Sequence, residues 1–107
     1  LKGITIHNNG VDIRTEKGAN VRAVFSGEVT GVITIPGANS AVIIRHGEYL
    51  TVYSNLAAVY VKKGDKIDTK QSIGKAYTDP EEGNSEVHLE IWKGTAKLDP
   101  AQWLARR

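Results

Sequence analysis

Residues 21–55, VRAVFSGEVTGVITIPGANSAVIIRHGEYLTVYSN, decide the fold. Four runs rich in β-branched side chains, 21–25, 28–35, 41–45 and 50–54, alternate with Ser26-Gly27, Pro36-Gly37-Ala38-Asn39 and His46-Gly47-Glu48. β-Branched residues fit a pleated, half-buried surface, and Gly, Pro and Asn supply the dihedrals of tight turns, so the stretch reads as consecutive hairpins. Downstream come a short run at 59–61, a turn at Lys63-Gly64-Asp65, a strand at 72–77, a polar loop at 79–85 and a strand at 86–92. Helical character is confined to 101–105, where Pro100 occupies the first turn that tolerates it. Short strands, Gly-rich turns and one short C-terminal helical turn predict an all-β sandwich or barrel.

The 107 residues suit one domain, 1–107, and 40% hydrophobic with 24% charged residues is a balance that can offset the chain entropy of folding. A formal net charge of +2 is too small for a dedicated nucleic-acid or anionic-membrane surface. With no Cys, disulfides, thiolate nucleophiles and Cys-ligated zinc are excluded, while an oxidising compartment stays open. Any metal site must draw on carboxylates and on His7, His46 and His88. No apolar run approaches the ~20 residues of a membrane span, because Gly31 and Pro36 break the longest candidate. The chain opens on Leu1 without a basic, apolar leader, which is expected of an excised domain.

The segment VYVKKGDKI at 59–67, followed by Gln71-Ser72-Ile73-Gly74, resembles the turn element shared by lipoyl or biotinyl carriers and lysostaphin-like (LytM-type) murein endopeptidases. A carrier needs a modifiable Lys at a hairpin tip, usually beside Met, and the chain has no Met. Asn9-Gly10-Val11-Asp12-Ile13, Lys17 to Val24 and Gly27-Glu28-Val29 resemble the opening of the LytM core. Ala41 to Gly47 with Thr51 to Leu56 resemble its central hairpin, and Val87 to Trp92 with Leu98-Asp99-Pro100 its closing strand and tail. The resemblance implies a barrel-sandwich hybrid, a lysostaphin-like β-sandwich of short antiparallel strands, lacking the family's N-terminal strand region.

Active members of that family hold zinc with a His and an Asp four residues apart and with the second His of a His-x-His pair. Two further His residues assist the attacking water. The resemblance carries the three ligand positions onto Asn8, Asp12 and His88, and the assisting positions onto Asn55 and Glu86. Only Asp12 and His88 keep family identity. A catalytic zinc takes about three protein ligands and an open water position. An amide oxygen at Asn8 is a weak donor for it. Losing an oxyanion-stabilising donor removes roughly 3 kcal/mol of catalysis. The expectation is therefore no catalytic residue, no metal and no cofactor.

That pattern resembles the murein hydrolase activators (EnvC/NlpD-like), in which a degenerate LytM groove binds and activates a cell-wall amidase of the N-acetylmuramoyl-L-alanine amidase type. The expected partner groove comprises Asn8, Asp12, Asn55, Glu86, His88 and, at its rim, Trp92. Peptidoglycan is a further candidate ligand, and the implied location is the periplasm or cell envelope. The alternative is a zinc-dependent murein endopeptidase using Asp12, His88 and an unexpected third ligand. His7 is expected to face away from the neighbouring Asn8, His46 to hydrogen-bond locally at its turn, and Glu86 to pair with His88.

Overall fold

The computed structural model describes residues 4–7, 10–34, 40–93 and 96–98. Every paired strand is antiparallel. The elements are β1 (Ile4–His7), β2 (Gly10–Thr15), β3 (Asn20–Arg22), β4 (Gly27–Ile33), β5 (Ser40–His46), β6 (Tyr49–Val59), β7 (Lys66–Ile67), β8 (Ser72–Ala76), β9 (Ser85–Lys93) and β10 (Ala96–Leu98). The main path runs β1-β2-β9-β6-β5-β4-β7, with β10 on β9 and with β8 linking β3 to β6. Among the described residues there is no helix, in line with the all-β expectation. The helical turn expected at 101–105 lies outside the described residues.

One strand makes the sheet fold back on itself. The first part of β6, Tyr49 to Ser54, pairs with β9, and its last part, Leu56 to Val59, pairs with β8. The changeover falls at Asn55, whose φ is 69°. Tyr53 and Leu56 are both buried although they stand three apart, and their partners on β5, Val42 and Ser40, stand two apart. One extra residue on β6 therefore forms a bulge, which restores the inward phase. Asn tolerates the left-handed conformation that this requires. The run at 59–61 is accordingly not a separate strand: Val59 is the end of β6, because the bulge lets the strand bend without breaking its pairing. The strand expected at 21–25 is shorter too, pairing only over Asn20–Arg22.

Beyond the bend, β8 and β3 pack over the inner face of the main sheet. Val21, Ile73 and Ala76 from these strands share one core with Val11, Val42, Ile44, Tyr53, Leu56, Val87 and Leu89. Tyr53, fully inside, accepts the Val24 amide on its phenolic oxygen at 3.0 Å, which ties the β3 end to β6. The expected turn at Gly64 is present with φ 97°, and Asp65 Oδ2 accepts the Lys62 amide at 2.9 Å.

β9 shows what the fold does for the site. Ser85, Val87, Leu89 and Ile91 are buried, while Glu86, His88, Glu90 and Trp92 are half-buried on the opposite face. The period-two alternation spends half of the strand on the core and leaves a row of four polar or aromatic side chains outside.

Candidate functional site

The outer row of β9 meets β2 in register, with Asp12 opposite His88 and Arg14 opposite Glu86. His88 Nδ1 donates to Asp12 Oδ1 at 2.7 Å, and His88 Nε2 donates to Glu90 Oε2 at 3.0 Å. The other oxygen of Glu90 accepts the Trp92 indole Nε1–H at 2.9 Å. A continuous polar chain therefore runs Asp12, His88, Glu90, Trp92. The side chains of Asp12, His88 and Glu90 are 24%, 23% and 19% exposed, enough shielding for the contacts to exceed those of a free surface pair.

Gly10 makes room for this chain. Its φ is 131°, and a Cβ there would sit 2.9 Å from Glu90 Cγ and 3.2 Å from His88 Cε1. A glycine at the head of β2 thus lets the Glu90 stem and the imidazole edge lie close over the backbone.

Asn55 and Glu86 form a second grouping, beside the bend of β6. Asn55 Nδ2 donates to the Glu86 carbonyl oxygen at 2.5 Å, and the Asn55 carbonyl accepts the Tyr77 amide at 3.0 Å. The two residues line a cleft of about 350 Å³ with Tyr77, Asp79, Glu82 and Asn84. Asp79 Oδ1 shapes the loop by accepting the Glu81 and Glu82 amides at 2.8 and 3.3 Å. Asn55 is thus a bracket within the fold as well as a wall of the cleft.

Placement of the expected groove residues follows from these two groupings. Asp12 and His88 meet directly, Asn55 and Glu86 meet through a backbone bond, and Trp92 joins the first group through Glu90. Asn8 lies outside the described residues. Glu90 takes the role expected of Glu86, whose carboxylate instead lies 3.9 Å from Arg14. Both acids are in phase with His88, and only side-chain rotamers choose between them. His46 does not bond only locally: Nδ1 donates to the Ser26 carbonyl at 2.6 Å, twenty residues away, and Nε2 contacts Thr51 Oγ1 at 2.7 Å. The register pairs His7 with Gly10 and Thr5 with Asp12; the expected orientation of His7 relative to Asn8 lies outside the described residues.

Zinc, which the resemblance implies, asks for about three donors converging on one point. Among the described residues no three His, Cys, Asp or Glu side chains do so. Asp12 and Glu90 engage opposite nitrogens of one imidazole, so the two carboxylates cannot both join His88 around a single ion. Of the three expected ligand positions, Asp12 and His88 meet directly, and Asn8 lies outside the described residues.

Residues 6–100 match the family model described as Peptidase family M23. The chain is 31% identical over 102 residues to Stage II sporulation protein Q of Bacillus subtilis, covering 91% of this chain and 36% of that protein. It is 32% identical over 105 residues to the Lipoprotein NlpD/LppB homolog of Pseudomonas aeruginosa, covering 94% and 34%. It therefore spans about a third of the length of these relatives. Among solved structures, SpoIIQ in complex with SpoIIIAH matches with a TM-score of 0.75 at 30% identity, over 94% of this chain and 77% of that one. Lysostaphin, the antimicrobial peptidase from Staphylococcus simulans, matches with a TM-score of 0.75 at 21% identity, over 91% and 42%, which shows the shared fold. With the antiparallel sheet, the Gly10-Val11-Asp12 opening and the β9 row all in family order, the chain belongs to peptidase family M23.

Proposed function

We propose that this M23 domain is non-catalytic and binds and activates a cell-wall amidase of the N-acetylmuramoyl-L-alanine amidase type in the cell envelope. The observation that carries the proposal is the continuous chain Asp12, His88, Glu90, Trp92, in which the two retained ligand-type residues bond to each other and His88 bonds to a second carboxylate. Water activation by imidazole has no counterpart at Asn55, whose amide is committed to the Glu86 backbone. The similarity to the NlpD/LppB homolog supports the activator assignment, and SpoIIQ, a related protein, occurs in a complex with another protein. The docking face comprises Asp12, Asn55, Glu86, His88 and Trp92, with Asn8 added from the sequence pattern. Peptidoglycan is a further ligand of this face.

A second function, zinc-dependent murein endopeptidase, is favoured by one observation: the register of β1 on β2 sets His7 opposite Gly10, two residues from Asp12. Elemental analysis and an amidase stimulation assay on the same preparation separate the two. Activation predicts far less than one zinc per chain, no cleavage of peptidoglycan by the chain alone, and faster cleavage when a cognate amidase is added. About one zinc per chain, with turnover that disappears in His88→Ala, would establish the endopeptidase instead.

A further inference from the structure

We propose that Glu90 is a positioning residue that fixes the Trp92 indole as a preformed anchor for the partner. The proposal rests on the docking function above, and it adds a residue that the family pattern does not assign to binding.

The geometry is specific. Glu90 offers one carboxylate oxygen to Trp92 Nε1–H at 2.9 Å and the other to His88 Nε2–H at 3.0 Å. His88 is held from its far side by Asp12 at 2.7 Å, so Glu90 cannot swing without breaking a bond at each end. Below it, Gly10 leaves the space that the Glu90 stem occupies. An indole has two rotatable bonds and one polar handle, and here the handle is taken by a carboxylate that is itself clamped. Trp92 therefore reaches a partner with its ring already oriented. Interface aromatics carry a large share of binding energy, and the ordering that they need on binding weakens affinity unless it is complete beforehand. Glu90 thus acts through Trp92 and His88, not by touching the partner.

The test uses the full chain labelled with 15N at tryptophan, with Trp92 assigned by the signal that vanishes in Trp92→Ala. Calorimetric titration with the cognate amidase gives the affinity. Glu90→Gln keeps its carbonyl oxygen as an acceptor for the indole and turns its NH2 toward His88 Nε2, which accepts in the other imidazole tautomer, so the Trp92 N–H signal stays in place and affinity stays within about twofold. Glu90→Leu removes both acceptors: the signal moves, its hydrogen exchange accelerates, and affinity falls about tenfold while the unfolding midpoint moves little. Trp92→Phe cuts the same link from the other side without altering Glu90, and it is expected to lose affinity to a similar extent. An indole signal unmoved in Glu90→Leu, or full affinity in Trp92→Phe, overturns the proposal while leaving the docking face intact if Trp92→Ala still weakens binding. Full affinity in Trp92→Ala overturns the docking face and the positioning role together.

Discussion

His46 and His88 each engage both ring nitrogens, and each lies over a glycine, yet they do different work. His46 bonds to a carbonyl and a hydroxyl, Ser26 O and Thr51 Oγ1, which a neutral imidazole satisfies with one N–H and one lone pair. Phe25 meets its ring edge-on with centroids 5.6 Å apart, and Thr51 is fully buried. His88 bonds to two carboxylates on the outer face and hands the connection on to Trp92. The first is a brace between the β3–β4 connection and the β5–β6 hairpin. The second organises a surface. What distinguishes them is not burial, since both are intermediate, but the charge and destination of their partners.

The strongest way to break the comparison is at the glycines. A Cβ on Gly10 would lie 2.5 Å from the Leu89 carbonyl oxygen as well as against Glu90, at a φ that side chains rarely adopt. Gly10→Ala should therefore cost about 3 kcal/mol, from backbone strain plus a clash that the β2–β9 ladder must absorb. Calorimetry should show the midpoint falling by more than about 10 °C. A change of only a few degrees would mean that β2 relaxes freely, and that the chain above it is not held as described.

Next in size is His46 itself. His46→Ala deprives the buried Thr51 hydroxyl of its partner and opens a void beside Phe25, which together should cost about 2–3 kcal/mol. His88→Ala should cost about 1 kcal/mol, because water reaches the carboxylates that it leaves behind. Amidase stimulation should respond in the opposite order, surviving His46→Ala and failing in His88→Ala. Denaturant titration and a stimulation assay on both variants measure the crossing, and its absence would erase the distinction between brace and organiser.

At about 2 kcal/mol comes the docking face. Glu86→Lys combined with Trp92→Ala should weaken amidase binding near thirtyfold and abolish stimulation, with the unfolding midpoint nearly unchanged. Substituting Lys62 and Lys63, exposed beside the Gly64 turn, should leave stimulation intact. If the lysine variant fails instead, the functional surface lies away from β9.

Much of this was legible in the residues. The hairpin series, the Gly64 turn and the alternation along β9 follow from period-two patterning and turn chemistry, which act locally. Asp12 and His88 were legible as a pair because the Gly10-Val11-Asp12 and Val87-His88-Leu89 motifs keep family order. Two things were not. The continuity of β6 through Asn55 depends on a bulge that pairing with β5 and β8 stabilises, so a local pattern reads it as a strand end. The choice of Glu90 over Glu86 depends on which rotamer finds both His88 and Trp92.

Asn55 tests the bulge at a smaller scale. Asn55→Gly keeps the φ of 69° accessible but loses the bond to the Glu86 carbonyl, and should cost about 1 kcal/mol. Asn55→Ala loses the bond and adds the left-handed strain, so it should be the less stable of the two. Reversal of that order in denaturant titrations would show that the bulge moves elsewhere along β6.

The smallest effect separates the two roles of Glu86. Its carbonyl oxygen is part of the bracket with Asn55, whereas its carboxylate lines the cleft and stands 3.9 Å from an Arg14 side chain that is 63% exposed. At that separation and exposure the ion pair is screened by water and contributes at most about 0.5 kcal/mol. Glu86→Gln preserves the backbone bracket and nearly the same volume, so the unfolding midpoint should move by no more than about 4 °C, and less in high salt. Amidase stimulation should nonetheless fall in Glu86→Gln if the partner reads the negative charge of the cleft, and stay constant if it reads only shape. A large loss of stability would place the Glu86 carboxylate, rather than its carbonyl, in the scaffold, and would join the cleft to the bracing machinery from which the outer row of β9 is otherwise distinct.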